Sequence, residues 1–183
     1  MNFEKANSIN FNESFKVKGL YPDIQINNLP ENIINKIREV YSGCMSEFTS
    51  IMQYIYQHFI FYNVKNLENV YRTMEEISIK EMEHYEILAK VLVSCKSDPK
   101  SCVYIDNNDK ICDYWKASNV NYSKEIIEMF EKDIILEKRA ISSYEEIINE
   151  TSDVNLKQII SRIILDEKSH LSYFEAVIKA LKN

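Results

Sequence analysis

Glu81-Met82-Glu83-His84 and Glu167-Lys168-Ser169-His170 set two of the chain's three histidines in one register, Glu-x-x-His. On an α-helix that spacing stacks a carboxylate and an imidazole on one face, one turn apart. Two such motifs, joined by one inward Glu from each of two further helices, make the ligand set of a dinuclear carboxylate site in a four-helix bundle. Glu47 and Glu137 are the candidates for those two glutamates.

The hydrophobic pattern around the motifs supports that reading. Four segments space apolar residues alternately by three and four, as the core positions of an antiparallel bundle do. The first passes through Ile33, Ile37, Val40, Cys44, Glu47, Ile51, Tyr54, His58 and Phe61; the second through Val70, Met74, Ile77, Glu81, His84, Leu88 and Val91. The third holds Phe130, Ile134, Glu137, Ile141, Tyr144 and Ile148; the fourth holds Ile160, Ile163, Glu167, His170, Phe174, Val177 and Leu181. Each seam is apolar except near its middle, where the candidate ligands fall. Four buried glutamates would be very costly as bare, mutually repelling anions. They are either protonated or gathered around cations, and two divalent ions with two neutral histidines balance them best.

The chain also repeats itself. Glu47 and Glu137 are 90 positions apart, as are Tyr54 and Tyr144; Glu81 and Glu167 are 86 apart, as are His84 and His170. Each half therefore reads as a helical hairpin, and two hairpins about a pseudo-twofold axis place equivalent ligands around one centre. A core would form without this symmetry, which makes it independent support.

A length of 183 residues suits one domain with a sizeable core. Only 2 Gly and 3 Pro, with 45% apolar residues, favour a helical globular protein. A net charge of −6 argues against nucleic acid as a partner and suits a protein that draws in cations. No stretch approaches the length of a membrane span. No basic start followed by an apolar run marks a signal peptide, so the expected compartment is the cytoplasm.

Residues 1–29 lack the helical period, contain Gly19 and Pro22, and read as an extended or partly ordered arm ahead of an all-α unit over residues 30–183. The first helix is expected from Pro30 or Glu31 to about Val64, and the second from a cap at Asn66 to near Cys95. The third is expected from about Ser123 to near Glu150, and the fourth from a cap at Ser152 or Asp153. Short first and third connections make antiparallel hairpins. The polar crossover over about 96–121, which contains Trp115, is long enough to run the length of the bundle and start the third helix in the direction of the second. Cys44, Cys95, Cys102 and Cys112 contain no Cys-x-x-Cys pair, which excludes a rubredoxin-type iron centre and leaves reduced thiols as the expectation, with a disulfide or metal clip among the crossover cysteines as the alternative. Cys44, one turn before Glu47, is expected to pack in the core.

Ser46-Glu47-Phe48-Thr49-Ser50-Ile51-Met52-Gln53-Tyr54 resembles the first-helix motif of bacterioferritins, and Glu81-Met82-Glu83-His84 their second. Asp133-Ile134-Ile135-Leu136-Glu137-Lys138-Arg139-Ala140-Ile141, with Tyr144, is similar to the third, and Asp166-Glu167-Lys168-Ser169-His170 to the fourth. The resemblance covers all four helices but neither the arm nor the crossover. It implies a ferritin-like four-helix bundle with Glu81 and Glu167 bridging two metals. Glu47 with His84, and Glu137 with His170, would be the terminal sets. The bland alternative is a satisfied polar layer in a bundle core.

Further roles follow from the same resemblance. Tyr54 and Tyr144, two turns beyond Glu47 and Glu137, are expected to hydrogen-bond a ligand carboxylate or supply an electron; a core tyrosine is also an ordinary packing residue. An Asp at position 166 orients the imidazole of the opposite hairpin in such bundles, whereas an exposed acid is the plain reading. Lys80 holds the equivalent place in the first half, so the two metal positions are expected to differ in affinity. Met82 stands where bacterioferritins carry the methionine that ligates haem, and methionine is also a common gap filler. His58 lies eleven residues from Glu47, about 16 Å along a helix, too far to be a ligand.

Some features depart from the bacterioferritin pattern. Only 13 residues follow His170, which leaves no room for the fifth helix that closes a bacterioferritin cage, so a homodimer is expected. Rubrerythrins carry an additional carboxylate where this chain has Ala140. Manganese catalases and related spore-coat proteins share the six ligand types. Three functions fit: a two-iron oxidoreductase that oxidises Fe(II) with O2 or H2O2, with an external electron-donor protein in the peroxidase case; a two-manganese catalase; and a non-catalytic metal-binding or spore-coat bundle. The first is favoured.

Overall fold

A computed structural model describes residues 1–105 and 111–183, and of residues 103–113 it describes only the backbone of two strands. Short helices α1 (Phe3–Asn7) and α2 (Phe11–Ser14) open the chain. They are followed by α3 (Glu31–Ser42), α4 (Glu47–Tyr62) and α5 (Glu68–Ser94). Strands β1 (Cys102–Ile105) and β2 (Ile111–Tyr114) precede α6 (Ile126–Glu150) and α7 (Val154–Lys182). Helices α4 and α5 form one antiparallel hairpin through a short turn, and α6 and α7 the other. Glu47 meets Tyr144 and Tyr54 meets Glu137, so α4 and α6 are antiparallel and α6 runs with α5. The long crossover makes this possible.

The first bundle helix is not continuous, contrary to the expectation of one helix to Val64. Gly43 leaves helical geometry with φ −72° and ψ −173°. A Cβ there would stand 2.5 Å from the Glu39 carbonyl oxygen, so a larger residue collides with the preceding turn. Ser46 then starts a new helix: its hydroxyl donates to the Gly43 carbonyl at 2.7 Å and accepts from the Thr49 amide. Apolar spacing runs through this interruption unchanged, which hides it from a periodicity argument. Cys44, expected to pack, is turned out and exposed. Replacing Gly43 by alanine is expected to lower stability by about 2 kcal/mol, measured by chemical denaturation of the metal-free chain.

The arm is more ordered than its composition suggests. Asn2 and Asn10 cap α1 and α2 by accepting from the Lys5 and Glu13 amides. The arm then runs along α7 against the direction of that helix. The Asn2 amide donates to the Leu181 carbonyl at 3.1 Å, the Ser169 hydroxyl to the Phe15 carbonyl at 2.6 Å, and the Gln25 amide to Asn155 Oδ1 at 2.8 Å.

Two local expectations also shift. Asn66 does not cap α5; it takes a left-handed φ of 65° in the turn and leaves Leu67 at the cap position. The crossover holds an antiparallel pair, β1 with β2, rather than only irregular chain. Beyond it, Trp115 Nε1 donates to Thr49 Oγ1 at 3.0 Å and the Asn121 amide to Gln53 Oε1 at 2.9 Å, which pins the crossover to α4. At the last turn, Asp153 caps α7 by accepting from the Leu156 amide at 2.7 Å. Cys95 and Cys102 are free thiols like Cys44, and the Cys112 side chain lies outside the described residues. No helix among the described residues is long and apolar enough to cross a membrane.

The apolar core falls into two clusters. One gathers Ile33, Ile37, Leu88, Val91, Ile147, Ile160 and Ile163; the other gathers Phe61, Val70, Met74, Ile77, Phe130, Phe174 and Val177. Burying each such side chain contributes roughly 1.5–3 kcal/mol. Between the clusters lies one polar layer.

Candidate metal centre

That layer is made of Glu47, Glu81, His84, Glu137, Glu167 and His170, each at most 3% exposed. One group of possible ligand atoms comes from Glu47, Glu81, His84 and Glu167, the other from Glu81, Glu137, Glu167 and His170. Within each group the ligand atoms lie within 4.8 Å of one another. Glu81 and Glu167 belong to both groups. The layer is thus two four-residue cages that share two carboxylates.

Helix geometry explains the arrangement. His84 Nδ1 faces inward, 3.1 Å from Glu81 Oε2, 3.0 Å from Glu167 Oε1 and 3.5 Å from Glu47 Oε2. His170 Nδ1 lies 2.9 Å from Glu81 Oε1, 3.3 Å from Glu167 Oε2 and 3.8 Å from Glu137 Oε2. Each tyrosine reaches across to the other hairpin: Tyr54 Oη donates to Glu137 Oε1 at 2.5 Å, and Tyr144 Oη donates to Glu47 Oε1. Both tyrosines are fully buried, and burial pushes their hydroxyls well above the ordinary range, so they remain donors.

Charge in the layer divides by position. Burial, aided by the charges of Glu167 and Glu81, raises Glu47 and Glu137 well above the usual carboxylate range. Burial also opposes ionisation of Glu81 and Glu167, but the two histidines outweigh it and hold both below their ordinary values. Burial disfavours imidazolium at His84 and His170, and the surrounding carboxylates override it and raise both. Without metal, the layer therefore favours protons at Glu47, Glu137, His84 and His170.

The donor set suits metal ions. Glu47 Oε2 and Glu137 Oε2 are buried and have no hydrogen-bond partner. Orphaned acceptors of this kind are costly unless something electrophilic sits among them. Mixed carboxylate and imidazole donors fit divalent iron or manganese.

Around the cages, Asp166 Oδ2 stands 3.3 Å from His84 Nε2, on the imidazole of the opposite hairpin. Asp166 also accepts from Arg162 Nη1 at 2.6 Å and Tyr21 Oη at 2.5 Å, two partners that the sequence reading missed. Arg162, one turn before Asp166, is legible as a helical ion pair; Tyr21 has no local signal. Asp133 was also missed: it is fully buried, its Oδ1 accepts from Gln53 at 2.6 Å and Gln57 at 2.8 Å, and burial pushes it up to about 7. His58 lies outside the layer, with Nδ1 2.7 Å from the Tyr71 carbonyl. Met82 is 41% exposed on the outer face of α5, beside Ile55, Phe59 and Ile79.

Residues 44–183 match the model of the ferritin-like domain family. The chain belongs to the ferritin-like family. Among curated ferritin-like proteins, a bacterioferritin of Desulfovibrio desulfuricans is 25% identical over 156 residues, covering 82% of this chain and 75% of that one. The crystal structure of a Desulfovibrio desulfuricans bacterioferritin shares the fold with a TM-score of 0.69 at 22% identity, over 84% of this chain and 81% of that one. A manganese catalase from Anabaena shares it with a TM-score of 0.70 at 21% identity, over 91% of this chain and 81% of that one.

Proposed function

We propose that this ferritin-like chain is a two-iron oxidoreductase that oxidises Fe(II) with O2 or H2O2. The observation that carries the reading is the pair of cages sharing Glu81 and Glu167. Bound there, two iron ions would supply two reducing equivalents to one small oxidant. Glu81 and Glu167 would hold both ions at a fixed separation, and Glu47 with His84 and Glu137 with His170 would complete one ion each.

The surrounding residues suit that task. Tyr54 and Tyr144 restrain the terminal glutamates, and the two apolar clusters keep bulk water from the layer. A cavity of about 10 Å³ bounded by Met45, Ser50, Leu136 and Ala140 touches Glu47, Glu81 and Glu167. Its size is close to the minimum that a single water-sized molecule needs. In the peroxide-reducing form an external protein donates electrons. The reading extends to a homodimer working in the cytoplasm.

The same donors accept two manganese ions, and the Anabaena neighbour of like fold is a manganese catalase. Elemental analysis of protein from its natural host separates these readings. About two irons per chain and Fe(II) oxidation are expected. About two manganese ions with H2O2 loss in the absence of a reductant would replace the proposal by a catalase. Neither metal would leave a structural bundle.

A further inference from the structure

The two histidines of the centre are backed differently. His84 Nε2 faces Asp166, and Asp166 Oδ2 is held by two further donors, Tyr21 Oη at 2.5 Å and Arg162 Nη1 at 2.6 Å. Arg162 Nη2 in turn donates to the Gly19 carbonyl at 3.1 Å, and the guanidinium lies 4.6 Å from the centroid of the Tyr21 ring. Gly19 takes a φ of 113°, a left-handed conformation that turns the arm so that residues 19 and 21 both reach Arg162. The Tyr21 ring also meets the His84 ring edge to face, with centroids 6.0 Å apart. Tyr21, Asp166, Arg162 and Gly19 form a closed ring behind His84.

His170 has no counterpart to this ring. From the arm, the Phe11 ring stands beside it with a centroid distance of 6.2 Å. Among the described residues no carboxylate stands in ion-pair range of its outer nitrogen; every such contact is made by Nδ1 inside the cage. Lys80, where a second Asp166 would sit by symmetry, pairs with Glu83. The pseudo-twofold relation of the two halves therefore fails in the groups behind the histidines. The arm that breaks it lies outside residues 44–183, the family match.

We propose that Tyr21 is a positioning residue of the metal centre: through Asp166 it fixes the His84 imidazole and so makes the Glu47–His84 position the tighter of two unequal metal positions. The inference rests on the two-ion reading of the centre. A ligand imidazole binds most tightly when its outer N–H donates to an ordered acceptor, because ring orientation and tautomer are then set before the ion arrives. Without the Tyr21 and Arg162 donors, fewer contacts would fix the Asp166 carboxylate against His84. With Tyr21 and Arg162 both donating to the same oxygen, it presents one orientation to His84. The phenol comes from a segment 145 positions away in sequence, so the arm acts as part of the site.

Titration of the metal-free full-length chain with Co(II), followed by its visible absorption, tests this. Wild type is expected to take up two ions in two steps of unequal affinity. His84→Ala should abolish the tighter step and thereby assign it. Tyr21→Phe, which keeps the ring and removes only the hydroxyl, should weaken that step about tenfold, alter its absorption band and leave the other step unchanged. In an Asp166→Asn background the same Tyr21→Phe change should have no further effect, which a packing role for the ring would not produce. Wild-type uptake of two ions reproduced by Tyr21→Phe overturns this proposal alone. Equal weakening of both steps together with a lowered melting temperature overturns it too, by assigning Tyr21 to general stability. A wild-type chain that takes up no pair of ions removes the two-ion reading and this proposal with it.

Discussion

Glu81→Ala is expected to lose both metal ions, whereas Glu47→Ala loses one. Glu81 contributes to both cages, with one oxygen toward each histidine: Oε2 is 3.1 Å from His84 Nδ1 and Oε1 is 2.9 Å from His170 Nδ1. Its removal leaves each cage with three ligating residues and no second link between them. Glu47 contributes to one cage only. Metal analysis after dialysis should therefore read near two ions per chain in wild type, near one in Glu47→Ala and near zero in Glu81→Ala. Activity should follow the pair and vanish in both variants, since one ion cannot supply two reducing equivalents.

The same variant separates a stabilising role from a functional one. In the metal-free chain Glu81 lies between His84 and His170, which favour its ionised form as it favours their charged forms, so removing it leaves the imidazoles less compensated. Breaking a buried ion pair from one side costs about 3–5 kcal/mol. Glu81→Ala should therefore melt lower than wild type even without metal. Added metal should raise the melting temperature of wild type, by about 2.7 kcal/mol of stability at a hundredfold excess over Kd, and leave the variant unmoved. A Glu81→Ala protein that still bound two ions would sink the shared-carboxylate arrangement.

The parts of this architecture that sequence makes legible are those fixed by helical period. Glu47, Glu81, His84, Glu137, Glu167 and His170 all fall on seams whose neighbours are apolar, and the structure brings all six into one layer. Tyr54 and Tyr144 follow for the same reason, seven residues beyond their glutamates. What escaped has no period. The Gly43–Ser46 interruption keeps the three-and-four spacing intact while changing the backbone, and Ser46 is a cap only because Gly43 leaves the helix. Tyr21 is placed by contacts with Asp166 and Arg162, both more than 140 positions away, and no local pattern encodes such a contact. Gln53 and Gln57 look like solvent-facing residues of α4, yet both turn inward to Asp133. Buried polar networks of this kind are set by their partners rather than by the spacing of apolar residues.

Uptake of the metal pair should release protons near neutral pH. In the metal-free layer burial and the neighbouring carboxylates favour the protonated forms of Glu47 and Glu137, and the carboxylates outweigh burial to favour the charged forms of His84 and His170. Glu81 and Glu167 are held toward the ionised form by the two histidines. Two divalent ions need all four glutamates as carboxylates and both imidazoles neutral, so the protons these groups hold must leave. Calorimetric titration in two buffers of different ionisation enthalpy counts them, and affinity should fall steeply as pH is lowered. Stability of the metal-free chain should move the other way. Groups whose folded values lie above their unfolded ones bind more protons in the native state, so their contribution is complete below the unfolded value and is lost as pH rises through the folded one. That loss begins near pH 4.3 for the two glutamates and near 6.5 for the two histidines. Glu81 and Glu167, held low, contribute the opposite sign, with stability present above about pH 4.3 and lost only on acidification below it. The metal-free chain should therefore be most stable at weakly acidic pH and melt progressively lower through neutrality, while the gain on adding metal grows over the same range. Metal uptake without proton release, or a metal-free melting temperature that climbs from weakly acidic to weakly alkaline pH, would show that the layer is not held together by protons in place of metal.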